Sequence, residues 1–245
     1  MTILTNRTAL VIGASGGIGS ETARRLAAAG ARVAVHAFRN RASAERVAAE
    51  IVAAGGEAFV LTGDASDQAE MARVADTVAE HFGGIDILVH VAGASPQMAF
   101  GSITAESFDA LFRDNVLSAI LAMQEAARYM VNGGRIVTVA SNLCYSPMGG
   151  LVPYAAAKSA LITLTQGFAR ELGPRRIAVN SVAPGAIETP MTEWIPQDIR
   201  DAIAAGTPLG RIGQPDDVAD AIVFLASPAA KWVNGRTLII DGGLV

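Results

Sequence analysis

The chain has 245 residues, 51% hydrophobic and 17% charged, with 23 acidic against 19 basic side chains, a formal net charge of -4 and a single cysteine, Cys144. That length fits one domain, or two at most, able to bury roughly three quarters of its unfolded surface without a metal or a disulfide, and the apolar content excludes disorder. With no long apolar run, no basic stretch ahead of the apolar start Met1-Thr2-Ile3-Leu4 and no Lys/Arg block, a membrane span, a signal peptide and a nucleic-acid partner are all disfavoured. The expectation is a cytoplasmic protein. A charged fraction below the usual ~25% further suggests surface covered by other copies of the chain.

Taken from the N-terminus, a strand at Thr8 to Gly13 leads to a helix at Gly19 to Gly30, and a strand at Arg32 to Phe38 to a helix at Ser43 to Ala54. Next come a strand at Ala58 to Gly63 with a helix at Gln68 to Phe82, and a strand at Ile85 to Ala92 with one long helix at Ala105 to Val131. A strand at Arg135 to Ser141 precedes a helix at Pro153 to Leu172; strands at Ile177 to Ala183 and Thr237 to Asp241 flank a helix at Pro215 to Ala226. The strands are short Val/Ile/Ala runs, the helices show the 3.6-residue period, and Gly30, Gly55-Gly56, Gly83-Gly84 and Gly133-Gly134 serve as helix stops. This alternation predicts an α/β fold: a single doubly wound Rossmann-type domain over residues 1–245, a seven-stranded parallel sheet with helices on both faces. Ligands of such a sheet bind at the carboxyl ends of its strands.

The first strand runs into Gly13-Ala14-Ser15-Gly16-Gly17-Ile18-Gly19 and then a helix. Glycines there let the chain reverse tightly and let a pyrophosphate approach the helix N-terminus, where unpaired N–H groups favour negative charge. The same residues also fit G-x-S-x-G with Ser15 as a nucleophile, but that chemistry needs a histidine late in the chain, and His36, His81 and His90 all lie in its first half. The hydrolase reading is therefore rejected. At the end of the second strand, about 20 residues past the glycines, an acid would bind the ribose hydroxyls of NAD. The sequence has Ala37 there with Arg39 close by, and arginine pairs with a 2′-phosphate, so NADP(H) is the expected cofactor.

Ser141 ends the fifth strand, and Tyr154 and Lys158 lie four apart near the start of the following helix, on one face. A nearby ammonium stabilises a phenolate, so Lys158 is expected to lower the Tyr154 pKa toward neutrality, while Ser141 hydrogen-bonds a carbonyl oxygen as hydride arrives. No metal is needed.

With Gly13, Gly17, Gly19, Ser141, Tyr154 and Lys158 in place, the chain resembles the short-chain dehydrogenase/reductase family along its whole length. Its ending, Pro208-Leu209-Gly210-Arg211, Phe224-Leu225-Ala226-Ser227 and Asp241-Gly242-Gly243, resembles the branch of 3-oxoacyl-acyl-carrier-protein reductases. The resemblance implies Tyr154 as general acid/base, Lys158 as its pKa modifier and holder of the nicotinamide ribose, Ser141 as the carbonyl-orienting hydroxyl, and Asn115 as support of a water relay. It further implies cofactor contacts at Ser15, Ile18, Asp64, Ala65, His90, Ala92 and Gly93, and at Pro184, Gly185, Ile187 and Thr189 of the segment closing over the nicotinamide. Two departures stand out: Ile12 where the family has Thr, and His90-Val91 where it has Asn-Asn. A coupled exchange in which Ile12 packs on Val91 would account for both. His90 is expected to serve mainly through its backbone.

The expected reaction is NADP(H)-dependent reduction of a ketone or 3-oxoacyl substrate, with a catalytically silent NADP-binding regulator as the alternative. An acidic acyl carrier calls for a basic patch at the site's mouth. The loop Met130-Val131-Asn132-Gly133-Gly134-Arg135 lacks one, and only Arg175 and Arg176 remain, so a small free ketone is at least as fitting. Residues 188–206, with Met191, Trp194, Ile195 and Ile199, are expected to form a partly apolar lid, and Cys144, Tyr145, Met148 and Leu151 to line the pocket. By resemblance the assembly is a homotetramer built on the helices at 105–131 and 153–172 and on the C-terminal strand with the Pro215 helix.

Overall fold

The computed structural model describes residues 3–131 and 133–245; Met1 and Thr2 of the apolar start, and Asn132 of the loop before the fifth strand, lie outside the described residues. Strands β1 (Thr8–Ile12), β2 (Arg32–Ala37), β3 (Glu57–Thr62), β4 (Ile87–His90), β5 (Arg135–Val139), β6 (Ala178–Pro184) and β7 (Thr237–Ile240) form one parallel sheet in the order β3-β2-β1-β4-β5-β6-β7. The order reverses between β1 and β4, which opens a crevice at their carboxyl ends.

Helices α1 (Gly17–Ala28), α2 (Arg41–Ala53) and α8 (Pro215–Ala226) cover one face, and α3 (Gln68–Phe82), α5 (Ser118–Tyr129) and α6 (Val152–Leu172) the other. The two-residue period of the strands divides their side chains between two cores. Val11, Val33 and Val35 pack with Leu26, Val47 and Ile222, while Leu10, Ile12 and Ala34 pack with Met71, Val74 and Leu161. Each fully buried Leu, Ile or Met of this kind contributes roughly 1.5–3 kcal/mol by leaving water. No helix among the described residues is long and apolar enough to cross a membrane.

Three sequence expectations are corrected here. The single helix over 105–131 is two, α4 (Ala105–Phe112) and α5, joined by a π-helical turn at Arg113–Leu117 in which the Ser118 N–H donates to Arg113 O, five residues back. One inserted residue hardly disturbs hydrophobic periodicity, which is why the pattern hid it. Ile12 does not pack on Val91: β1 and β4 pair Ile12 with His90, so Val91 points to the opposite face and joins the other core. The two residues meet only through the Val91 N–H donated to Ile12 O, 2.9 Å. Arg175 is no part of a free basic patch. It precedes β6, at the sheet end opposite the crevice, and donates to Ala127 O and Met130 O at the end of α5, 2.6 and 3.0 Å.

Candidate active site

The glycine loop links β1 to α1 under tight steric limits. Gly13 has φ +83°, and a Cβ on it would lie 2.7 Å from the Ala92 nitrogen, so no other residue lets the loops after β1 and β4 approach this closely. A Cβ on Gly19 would run into the Gly13 carbonyl oxygen. Gly16 precedes α1 with no side-chain cap; the Gly19 N–H turns back to Gly16 O, 3.1 Å, and no side chain caps Gly17 or Ile18 at the helix start. Ser15 O accepts from Ser43 Oγ, 2.7 Å, which ties the loop to α2. From the far side, Pro184 ends β6, the Gly185 N–H donates to Ile240 O, Ile187 is buried, and the Thr189 Cγ2 comes within 3.1 Å of where a Gly17 Cβ would stand. The segment 184–189 therefore folds over the glycine loop, and Ile18 packs partly buried against the core beneath it.

At the end of β2, Ala37 is buried while Arg39 is exposed, its guanidinium 4.8 Å from the Phe38 ring centroid. Past β3, Asp64 Oδ1 accepts from the Ser66 N–H and hydroxyl, 2.8 and 2.7 Å, and Ala65 is buried. Partial burial and then Asp64 raise the Asp114 carboxyl, with Arg39 and Arg113 pulling it back, so these charges share one end of the crevice. An uncapped helix N-terminus, a cradle that a Cβ would fill and an arginine in place of an acid fit a dinucleotide with a 2′-phosphate.

Ser141 follows β5 and caps the short turn Asn142–Cys144, its Oγ accepting from the Leu143 N–H at 3.2 Å, which leaves its own proton to donate. Tyr154 and Lys158 stand on the first turns of α6, with Pro153 in the first turn, where its missing N–H costs nothing. Lys158, 3% exposed, donates from Nζ to Val139 O, 2.9 Å, and lies 5.8 Å from the Tyr154 ring centroid. Burial pushes the Tyr154 phenol up to about 12, neighbouring Cys144 adding to it and the Ser141 hydroxyl opposing it. Burial also lowers Lys158 to about 8. Burial is thus the leading influence on both groups, disfavouring the phenolate at Tyr154 and the ammonium at Lys158.

Asn115 sits in the π-helical turn, fully buried, with Nδ2 donating to Ala94 O and Leu111 O at 2.9 and 3.0 Å. Its Oδ1 has no hydrogen-bond partner among the described residues. A Cβ on Gly93 would meet that oxygen and also the Lys158 Nζ at 3.1 Å, so both groups crowd over the same backbone. An open, mostly apolar cleft of about 360 Å³ beside the turn is lined by Ala94, Pro96, Met98, Ser107, Leu111 and Asp114.

The structure brings Ser141, Tyr154, Lys158, Asn115 and Gly93 together at the sheet's carboxyl edge. Sequence reasoning missed Met98, which packs with Leu111 and Ala157 against Tyr154, and the Arg200–Glu188 ion pair spanning the 188–206 segment. It also undervalued the His90 side chain, which is buried with Nε2 3.1 Å from Ser118 Oγ. A histidine inside an apolar strand was the available signal. Tyr145, Met148, Met191 and Trp194 are about half exposed, at 48, 52, 47 and 51%.

A family model described as enoyl-(acyl carrier protein) reductase matches residues 13–245. The chain is 38% identical to a 3-oxoacyl-acyl-carrier-protein reductase of Synechocystis sp., covering 100% of this chain and 99% of that one. It is 36% identical to versicolorin reductase 1 of Aspergillus parasiticus, covering 98% and 97%. A short-chain dehydrogenase from Burkholderia cenocepacia, solved in complex with NADP, superposes with a TM-score of 0.93 at 41% identity over 99% of both chains.

Proposed function

The chain belongs to the short-chain dehydrogenase/reductase family, and from that premise we propose that it uses NADP(H) to interconvert a carbonyl and a secondary alcohol, working as a ketoreductase on a ketone or 3-oxoacyl substrate. The observation that carries this reading is the meeting of Ser141, Tyr154, Lys158 and Asn115 beside a glycine cradle. When bound, NADPH supplies the hydride that reaches the carbonyl carbon. Ser141 donates its free proton to the carbonyl oxygen and Tyr154 delivers the proton the developing alkoxide needs. Lys158, anchored by Val139 O, stabilises the phenolate left behind and offers its remaining N–H groups to the ribose. Asn115 Oδ1 supports a water that returns the proton to Tyr154. The cofactor would rest on Gly13, Ser15, Gly17, Ile18 and Gly19, with Arg39 at the 2′-phosphate, Asp64 and Ala65 at the adenine, His90 to Gly93 beneath it, and Pro184, Gly185, Ile187 and Thr189 over the nicotinamide.

Residues 188–206 act as the substrate lid. This is supported by the short turn Pro190–Thr192, by helix α7 (Gln197–Gly206), none of whose side chains is buried, and by exposed Met191, Trp194 and Ile199. The apolar rim and the engagement of Arg175 away from the crevice favour a free ketone over a carrier-bound thioester. A silent regulator finds no support among the relatives. The assembly is a homotetramer in the cytoplasm, where a lone thiol stays reduced. Phe108 on α4, Val152 on α6, and Trp232 and Leu244 near the C-terminus are exposed at 42, 55, 96 and 39%, as faces awaiting another copy would be. A light-scattering mass below that of four chains would overturn the assembly, and recovery outside the cytoplasmic fraction the location.

The test follows NADPH and NADH oxidation against a β-keto thioester, an aromatic ketone, a cyclic diketone and a sugar-derived ketone. Turnover with NADPH is expected, and Arg39→Ala should weaken NADPH by about 10-fold or more, the loss of one charge-assisted contact, and leave NADH unchanged. Equal use of both cofactors by the native chain would contradict the assignment of Arg39.

A further inference from the structure

In an α-helix the Asp114 carbonyl would accept from the Ser118 N–H, four residues on. Here that N–H goes to Arg113 O, and Ser118 Oγ donates to Asp114 O at 2.6 Å instead. The one hydroxyl proton of Ser118 is thereby used, so the contact of 3.1 Å with His90 Nε2 requires the ring to donate. His90 is therefore the Nε2–H tautomer, with Nδ1 a buried lone pair that has no partner among the described residues. Its backbone is fixed in mid-sheet, paired with Ile12 of β1 and Thr138 of β5. The rigid sheet thus reaches the turn through a side chain.

We propose that His90 and Ser118 form a clamp that holds the π-helical turn in its five-residue register and so sets Asn115 Oδ1 over Gly93 beside Lys158. Asn115 is held from one side by Ala94 O and Leu111 O, and the register of its own turn decides where its oxygen falls. Relaxation to an α-helical register would rotate Asn115 about the helix axis and break that placement. Burial, and after it the Lys158 charge, hold His90 at about 3, so the ring stays neutral and keeps its donor in any ordinary assay. His90 is a positioning residue that acts through Ser118 and Asn115.

The inference rests on the reductase reading, and the experiment separates the two. Full-length native chain is compared with Ser118→Ala, His90→Leu, His90→Gln and the double variant Ser118→Ala/His90→Leu, in which Gln keeps an N–H donor at the reach of Nε2. The readouts are kcat and KM with the best ketone of the panel, NADPH affinity by fluorescence, and hydrogen exchange of the 113–118 amides. Ser118→Ala and His90→Leu are expected to lower kcat by about 10- to 100-fold, as a displaced group of this kind does, with NADPH affinity in Ser118→Ala, outside the cofactor contacts, held within about twofold. Exchange over 113–118 should accelerate in both, the double variant should fall no further than the worse single, and His90→Gln should recover most of the native kcat. Full kcat with native exchange in Ser118→Ala, additive losses in the double variant, or no recovery in His90→Gln would each overturn the clamp. If the native chain binds NADPH but reduces no ketone, the reductase reading fails, and the exchange data alone still decide the clamp.

Discussion

Tyr154→Phe should lower NADPH-dependent reduction by about 10³-fold while its NADPH affinity stays within about twofold of native, because general acid catalysis contributes 10²–10⁴ and the ring itself is kept. The phenol stands at about 12 through burial, so it is protonated throughout the neutral range and ready to donate. Lys158 is lowered to about 8, again by burial, and its ammonium is what stabilises the phenolate formed when the proton leaves. Reduction by the native chain should accordingly hold steady below pH 8 and decline as Lys158 deprotonates above it. Alcohol oxidation, which needs the phenolate first, should instead climb with pH. Stopped-flow turnover across pH 6–10 in both directions checks this, and a Tyr154→Phe variant with native turnover would leave the silent regulator as the better reading.

Acid should destabilise the protein through two buried histidines. His36 Nε2 donates to Gly63 O, 3.1 Å, and the ring is held at about 4, chiefly by burial; His90 is held at about 3, again by burial, with Lys158 next. Both values lie below the 6.5 of an exposed ring, so the unfolded chain binds protons that the folded one refuses. The stability these neutral rings confer is complete above pH 6.5 and is lost as pH falls toward 4 and 3. At pH 5 each costs about 2 kcal/mol, and the pair about 4 kcal/mol, of a total typically near 5–15 kcal/mol. Urea midpoints at pH 8 and pH 5 for the native chain and for His36→Asn and His90→Asn isolate the effect from that of the carboxylates. Each variant should lose roughly half of the native pH dependence. Identical slopes in all three would refute the assignment.

Local rules made much of this legible from residue order. Glycine spacing at 13, 17 and 19 reads as a strand-to-helix turn because the steric demand is local, and Tyr154 and Lys158 share a face because four residues nearly complete a helical turn. Strand bounds fall within two residues of expectation since buried parallel strands are apolar from end to end. The failures share a cause. The split of the 105–131 helix depends on a π-helical turn whose Asp114 carbonyl takes the Ser118 hydroxyl, beside a histidine 28 positions earlier. Ile12 and Val91 are neighbours along the edge, yet only strand register decides that they face opposite cores.

Residue order by itself determined the doubly wound sheet and the strand-to-helix glycine turn, and it singled out Arg39, Ser141, Tyr154 and Lys158 as candidates through contiguous pattern and fixed spacing, whereas Asn115 was named by family resemblance. Only the tertiary structure decided how burial acts on Tyr154 and Lys158, the position of Asn115 over Gly93 and the contact of His90 with Ser118. Those properties arise from desolvation and from contacts between distant segments, and both come into being when the sheet and its helices close around them.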